Sequence, residues 1–142
     1  MWIELVLFLL LAVCAVFDGL RRQIPLAVVW LGMSLAICLQ IGGYMGETNF
    51  FSVALSLIPG VGFFLLSFLT GEKVGYGDGW VLLMIGLFLG IYRCFLILLL
   101  GLVAESVVAI VLLALKKIQR DREIPFSPFL LLGMGMGVAV CF

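Results

Sequence analysis

Residues 79–115 read GWVLLMIGLFLGIYRCFLILLLGLVAESVVAIVLLAL, 37 residues that carry only two charges, Arg93 and Glu105. As one helix they would run roughly 55 Å at ~1.5 Å per residue, against a bilayer hydrocarbon core of ~30 Å, which is more than tilting absorbs. The stretch must turn. Its one basic interruption, Arg93 beside Gly90 and Tyr92, predicts the turn and divides it into spans over residues 79–91 and 95–115. The first is short, about 20 Å of helix, so it tilts or starts in the preceding loop. Outside this stretch four further apolar runs, residues 2–17, 24–41, 50–69 and 125–142, are each long enough to cross. The expectation is an all-α integral membrane protein with six transmembrane helices.

Composition agrees with that class. Of the 142 residues, 65% are apolar and 11% charged, and the mean hydropathy is +1.38, so a water-soluble fold would lack the polar side chains to cover its surface. No Ser-, Pro- or charge-rich linker interrupts the chain, which predicts one domain over residues 1–142. Eight Lys and Arg balance eight Asp and Glu, and no nucleic-acid partner is expected. With no His, the chain lacks the usual neutral-pH base and the commonest zinc ligand, so acid–base chemistry falls to carboxylates. Cys14, Cys38, Cys94 and Cys141 stand far apart in apolar runs and form no C-x-x-C pair, which reads as four small buried hydrophobes rather than a metal or redox site. No metal and no cofactor are expected. The apolar run 5–17 is preceded by Met1-Trp2-Ile3-Glu4, without a basic residue, and is followed by no small-x-small cleavage site, so it is read as a span and not as a removable signal.

The basic residues orient the spans, because Lys and Arg are retained on the cytoplasmic side. Arg21, Arg22, Lys73, Lys116, Lys117, Arg120 and Arg122 fall in alternate loops, and Arg93 alone falls in the other set. This division predicts both termini outside and three loops inside. Without the turn near Arg93, the Lys116–Arg122 loop would face the wrong side.

Ionisable groups at membrane depth are costly and are therefore candidates for function. Glu4 and Arg93 lie near the outer boundary, where long side chains reach the headgroups. Glu105 is mid-span and has two readings, a structural contact with other helices or a polar residue of a cavity beside a site. Asp18 ends the first span and Asp78 begins the fourth, which puts two carboxylates at one depth on the cytoplasmic edge. Singly, Asp78 reads as the N-cap of a helix starting at Gly79, and Asp18 as a partner of Arg21 or Arg22. Together they fit different chemistry. Two close aspartates do not both ionise easily, so one keeps a proton while the other serves as base, the arrangement that activates water against a peptide carbonyl without a metal, nucleotide or thiol. Gly75, Gly77 and Gly79 around Asp78 permit a sharp backbone turn and the close approach of an extended peptide.

Three patches resemble the type IV prepilin peptidases, of the GxGD class of membrane aspartyl peptidases. Asp18-Gly19-Leu20-Arg21-Arg22-Gln23-Ile24-Pro25 is similar to the family's first-aspartate motif, and Lys73-Val74-Gly75-Tyr76-Gly77-Asp78 to its second. Ile124-Pro125-Phe126-Ser127-Pro128-Phe129 resembles the Pro-Phe-x-Pro-Phe start of the last helix. The resemblance covers nearly the whole chain. It departs at Leu26, where the family usually has Asn, and at Trp80 and Val81, where it often has Lys. It implies a multi-pass protein of a prokaryotic inner membrane with Asp18 and Asp78 catalytic, Gly75 and Gly77 shaping the site, and a pilin or pseudopilin precursor as substrate, cut after a Gly at the cytoplasmic face. The chain has neither the N-terminal insertion nor the paired C-x-x-C motifs of the larger, methylating members, and so is similar to the short form of tight-adherence pilus systems. The competing reading is a non-catalytic membrane subunit of a pilus or secretion system, or a small transporter, in which the aspartates line a polar path. A transporter should repeat its broken helix in both halves, and only the Gly75–Gly79 segment has that character.

Overall fold

A computed structural model of the chain describes residues 2–21, 25–43, 49–71, 76–116 and 126–140. Among them are seven helices and no strand: α1 (Trp2–Arg21), α2 (Leu26–Ile41), α3 (Phe50–Ser56), α4 (Ile58–Leu69), α5 (Tyr76–Leu89), α6 (Ile91–Ala114) and α7 (Ser127–Val140). Helices suit such apolar segments because each satisfies its backbone polar groups internally. By length and composition α1, α6 and the α3–α4 segment Phe50–Leu69 suffice to cross a membrane, and α2, α5 and α7 are shorter apolar helices. α3 and α4 meet at Leu57, just before Pro59, whose ring supplies no N–H for a helical bond to the preceding turn.

The break in residues 79–115 falls at Gly90, three residues before Arg93. Gly90 has φ +82° and ψ 174°, a conformation that only glycine takes readily. Its N–H still closes α5 on the Gly86 carbonyl at 2.9 Å, and its own carbonyl receives the Cys94 N–H at 3.1 Å. One residue therefore ends one helix and starts the next, and Arg93 lies in the first turn of α6. It faces Glu4 of α1, with Arg93 Nη1 donating to Glu4 Oε1 at 3.1 Å. The two outer-boundary charges expected to reach separately for headgroups are in fact a pair.

α5 is the centre of the bundle. Every side chain from Val81 to Phe88 is buried, and α1, α2, α3, α4 and α6 all pack against it. Its sequence has no polar face, as a helix enclosed on all sides requires. Gln40 of α2 donates to the Leu87 carbonyl of α5 at 2.7 Å. Glycines set the closest approaches: a β-carbon at Gly133 of α7 would stand 2.7 Å from the Ile97 carbonyl oxygen and 3.0 Å from the Gly101 nitrogen of α6. Outward-facing positions hold large apolar side chains such as Leu9, Leu31, Phe68, Val103 and Ile110, a surface suited to lipid.

Candidate active site

Glu4 and Asp18 lie near opposite ends of α1, separated by about 21 Å of helix at ~1.5 Å per residue. The Glu4–Arg93 pair ties the first turns of α1 and α6 together at one end of the bundle. Asp18, at the other end, is 8% exposed and sits inside α1, which continues to Arg21. Its Oδ2 accepts the backbone N–H of Ser127, the first residue of α7, at 3.2 Å.

The sequence at that helix start explains the contact. The first N–H groups of a helix have no partner within it. Here Pro128 has no N–H, and the N–H groups of Phe129 and Leu130 both reach the Phe126 carbonyl, at 3.0 and 3.1 Å. The Ser127 amide remains, and Asp18 takes it, so that a carboxylate from α1 caps α7 at the positive end of its dipole. Arg21, weighed as a partner for Asp18, lies instead over the Phe17 ring at 5.9 Å, and Arg22 is outside the described residues. The Ser127 hydroxyl is fully buried and among the described residues has no hydrogen-bond partner, a condition that costs about 1–3 kcal/mol unless something satisfies it.

Asp78 lies in the first turn of α5, two residues inside the helix rather than capping it, because the helix begins at Tyr76 and not at Gly79. It is partly buried and within electrostatic reach of both Asp18 and Glu105. Three carboxylates, from α1, α5 and α6, thus share the end of the bundle at which α7 begins. Of the two glycines expected to shape the site, Gly77 is part of α5, and Gly75 lies with Lys73 outside the described residues. Among the described residues no group of three or more His, Cys, Asp or Glu is arranged to hold a metal ion.

An aromatic layer surrounds the first turns of α5. Trp80 stands between Trp30 of α2, with ring centroids 5.3 Å apart, and Phe64 of α4, edge-on at 5.2 Å, while Phe64 also meets Tyr76 at 6.2 Å. Phe63 stacks on Phe126 at 5.8 Å, joining α4 to the approach to α7. The departure from the family pattern at Trp80 therefore has a packing reason: the ring joins α2, α4 and α5. Ser127 stands within the Ile124–Phe129 motif, but nothing in the sequence relates it to an aspartate 109 positions earlier.

A polytopic helical bundle with carboxylates gathered at one end is a form shared by membrane peptidases and by transporters. The chain matches the type IV leader peptidase family over residues 5–118 and belongs to that family, which is one of peptidases. Two proteins named prepilin leader peptidase/N-methyltransferase, from Aeromonas salmonicida strain A449 and from Aeromonas salmonicida, are each 30% identical to it over 114 residues, 78% of this chain and 38% of theirs. The chain thus spans well under half the length of the curated relatives it matches. No solved structure matches it. The family match includes Asp18, Asp78 and Glu105 and stops short of Ser127.

Proposed function

We propose that this chain is a membrane aspartic endopeptidase that removes the leader from prepilin-type precursors at the cytoplasmic face of a prokaryotic inner membrane, with Asp18 and Asp78 as its catalytic pair. The observation that supports the reading is that Asp78 lies within electrostatic reach of Asp18, in a chain of the leader peptidase family. One aspartate, as base, takes a proton from water while the water oxygen attacks the peptide carbonyl carbon. The other, as acid, gives its proton to the carbonyl oxygen. Collapse of the tetrahedral intermediate breaks the C–N bond, the leaving amine collects a proton from the pair, and a carboxylic acid and an amine depart. Gly75 and Gly77 admit the extended peptide to Asp78, and Glu105 is a polar wall of the same space. The direct test is incubation of the purified protein, in detergent, with a prepilin-type precursor. Leader removal should survive a chelator, because a pair of aspartates needs no metal. Activity lost on chelation and restored by a particular metal ion would overturn this mechanism.

The reading includes a single domain over residues 1–142, six crossings, both termini outside and the three more basic loops inside. A reporter active only outside the cell should therefore function when fused after Phe142, and one inserted between Lys116 and Glu123 should be silent. The reverse pattern would put the aspartates on the opposite face from the proposed substrate bond.

A further inference from the structure

We propose that Ser127 is a third catalytic residue of this site, with its hydroxyl donating to the carbonyl oxygen of the peptide bond held between Asp18 and Asp78. The inference rests on the peptidase reading and adds a residue that lies outside the family match. Two independent observations carry it. The first is placement: the Ser127 N–H is on Asp18 Oδ2 at 3.2 Å, and since a serine hydroxyl oxygen is at most about 4 Å from its own backbone nitrogen, it stands no more than about 7 Å from that carboxylate oxygen. The second is the hydroxyl itself, fully buried and, among the described residues, without a hydrogen-bond partner.

Serines in apolar helices ordinarily satisfy the hydroxyl on the preceding turn, as Ser34 does on Leu31, Ser56 on Val53 and Ser106 on Leu102. Ser127 is the first residue of α7, and among the described residues no carbonyl takes its hydroxyl. Its donor is therefore free for something brought to Asp18 from outside the bundle. The incoming group that needs a donor there is the peptide carbonyl, which gains negative charge as water attacks and accepts more strongly in the transition state than in the bound substrate. The amide and hydroxyl of one residue thus divide two tasks. The amide fixes Asp18, and the hydroxyl meets the oxygen on which Asp18 and Asp78 act.

The test compares Ser127→Ala and Ser127→Thr with the wild-type chain, all in full length, for cleavage of a prepilin-type precursor and for thermal midpoint in detergent. Ser127→Ala keeps the backbone amide on Asp18 and removes only the hydroxyl. Its melting should be unchanged or raised, because a buried donor without a partner is gone, while kcat falls about a hundredfold with KM little altered. Ser127→Thr retains a hydroxyl and should recover most of the turnover. Wild-type kcat in Ser127→Ala would overturn the inference, and so would an intact fold in which Thr cleaves as poorly as Ala. In both cases loss of cleavage in Asp18→Asn and Asp78→Asn would leave the peptidase reading standing. Cleavage that survives the two aspartate substitutions would remove the site, and this role for Ser127 with it.

Discussion

Asp18→Asn and Asp78→Asn should each lose at least about 10³-fold of precursor cleavage at matched membrane expression, and the double variant should be scarcely worse than either one. Residues that act as one unit on the same water and carbonyl are strongly non-additive, whereas two independent contributions would multiply. The substitution is chosen for what it spares. Asparagine at position 18 still offers an oxygen to the Ser127 amide, so the joint between α1 and α7 persists and inactivity reports chemistry rather than unfolding. Asp18→Ala would leave that buried amide unpaired, at about 1–3 kcal/mol, and would mix the two effects. Processing by each variant in membrane preparations, with melting in detergent alongside, separates them. Substantial cleavage by either Asn variant would sink the pairing and favour a role for these aspartates in holding helices or binding a partner.

The apolar runs announced most of the helices because an apolar segment has little choice of structure in lipid. The enclosed position of α5 was implicit in residues 81–88, which offer no polar face to solvent. Helix limits were less legible. Arg93 was the conspicuous break, but a charge can lie along a helix surface, and it is Gly90 that can adopt φ +82°. Least legible were the partners of the charges. Glu4 and Arg93 are 89 positions apart, and Asp18 and Ser127 are 109 apart; no periodicity links such pairs, and only the tertiary arrangement, with α6 starting beside the start of α1 and α7 starting beside its end, brings them together. Local sequence offered Arg21 to Asp18, an inexpensive guess for an exposed helix end. The actual partner is a backbone amide, which no residue type advertises, left over because Pro128 and the Phe126 carbonyl account for the rest of that helix start.

Gly86→Ala should cost more stability than any other single methyl group added to this bundle, and Gly133→Ala should follow it. At Gly86 the new β-carbon would collide with the Ser56 carbonyl oxygen and stand 3.1 Å from the carbonyl carbon. Both belong to backbone, which cannot rotate aside as a side chain can, so α3 and α5 must separate. At Gly133 the obstacle is again backbone, the Ile97 carbonyl oxygen and Gly101 nitrogen of α6. Overpacking of this kind costs about 1–3 kcal/mol, and close backbone approach is a main source of helix association in lipid, where apolar side chains gain little by leaving the solvent. Gly62 supplies the control: a β-carbon there meets nothing within 4 Å, and alanine in a helix interior is favoured over glycine by up to about 1 kcal/mol. Gly62→Ala should therefore melt no lower than wild type in detergent, while the other two melt lower. Equal melting of Gly86→Ala and Gly62→Ala would mean that α3 does not rest on α5 as described. Cleavage should fall with melting in Gly86→Ala, because α5 carries Asp78 about 12 Å along the same helix at ~1.5 Å per residue. A helix pushed off α3 takes its carboxylate with it, while Asp18 is held on α1 by α7.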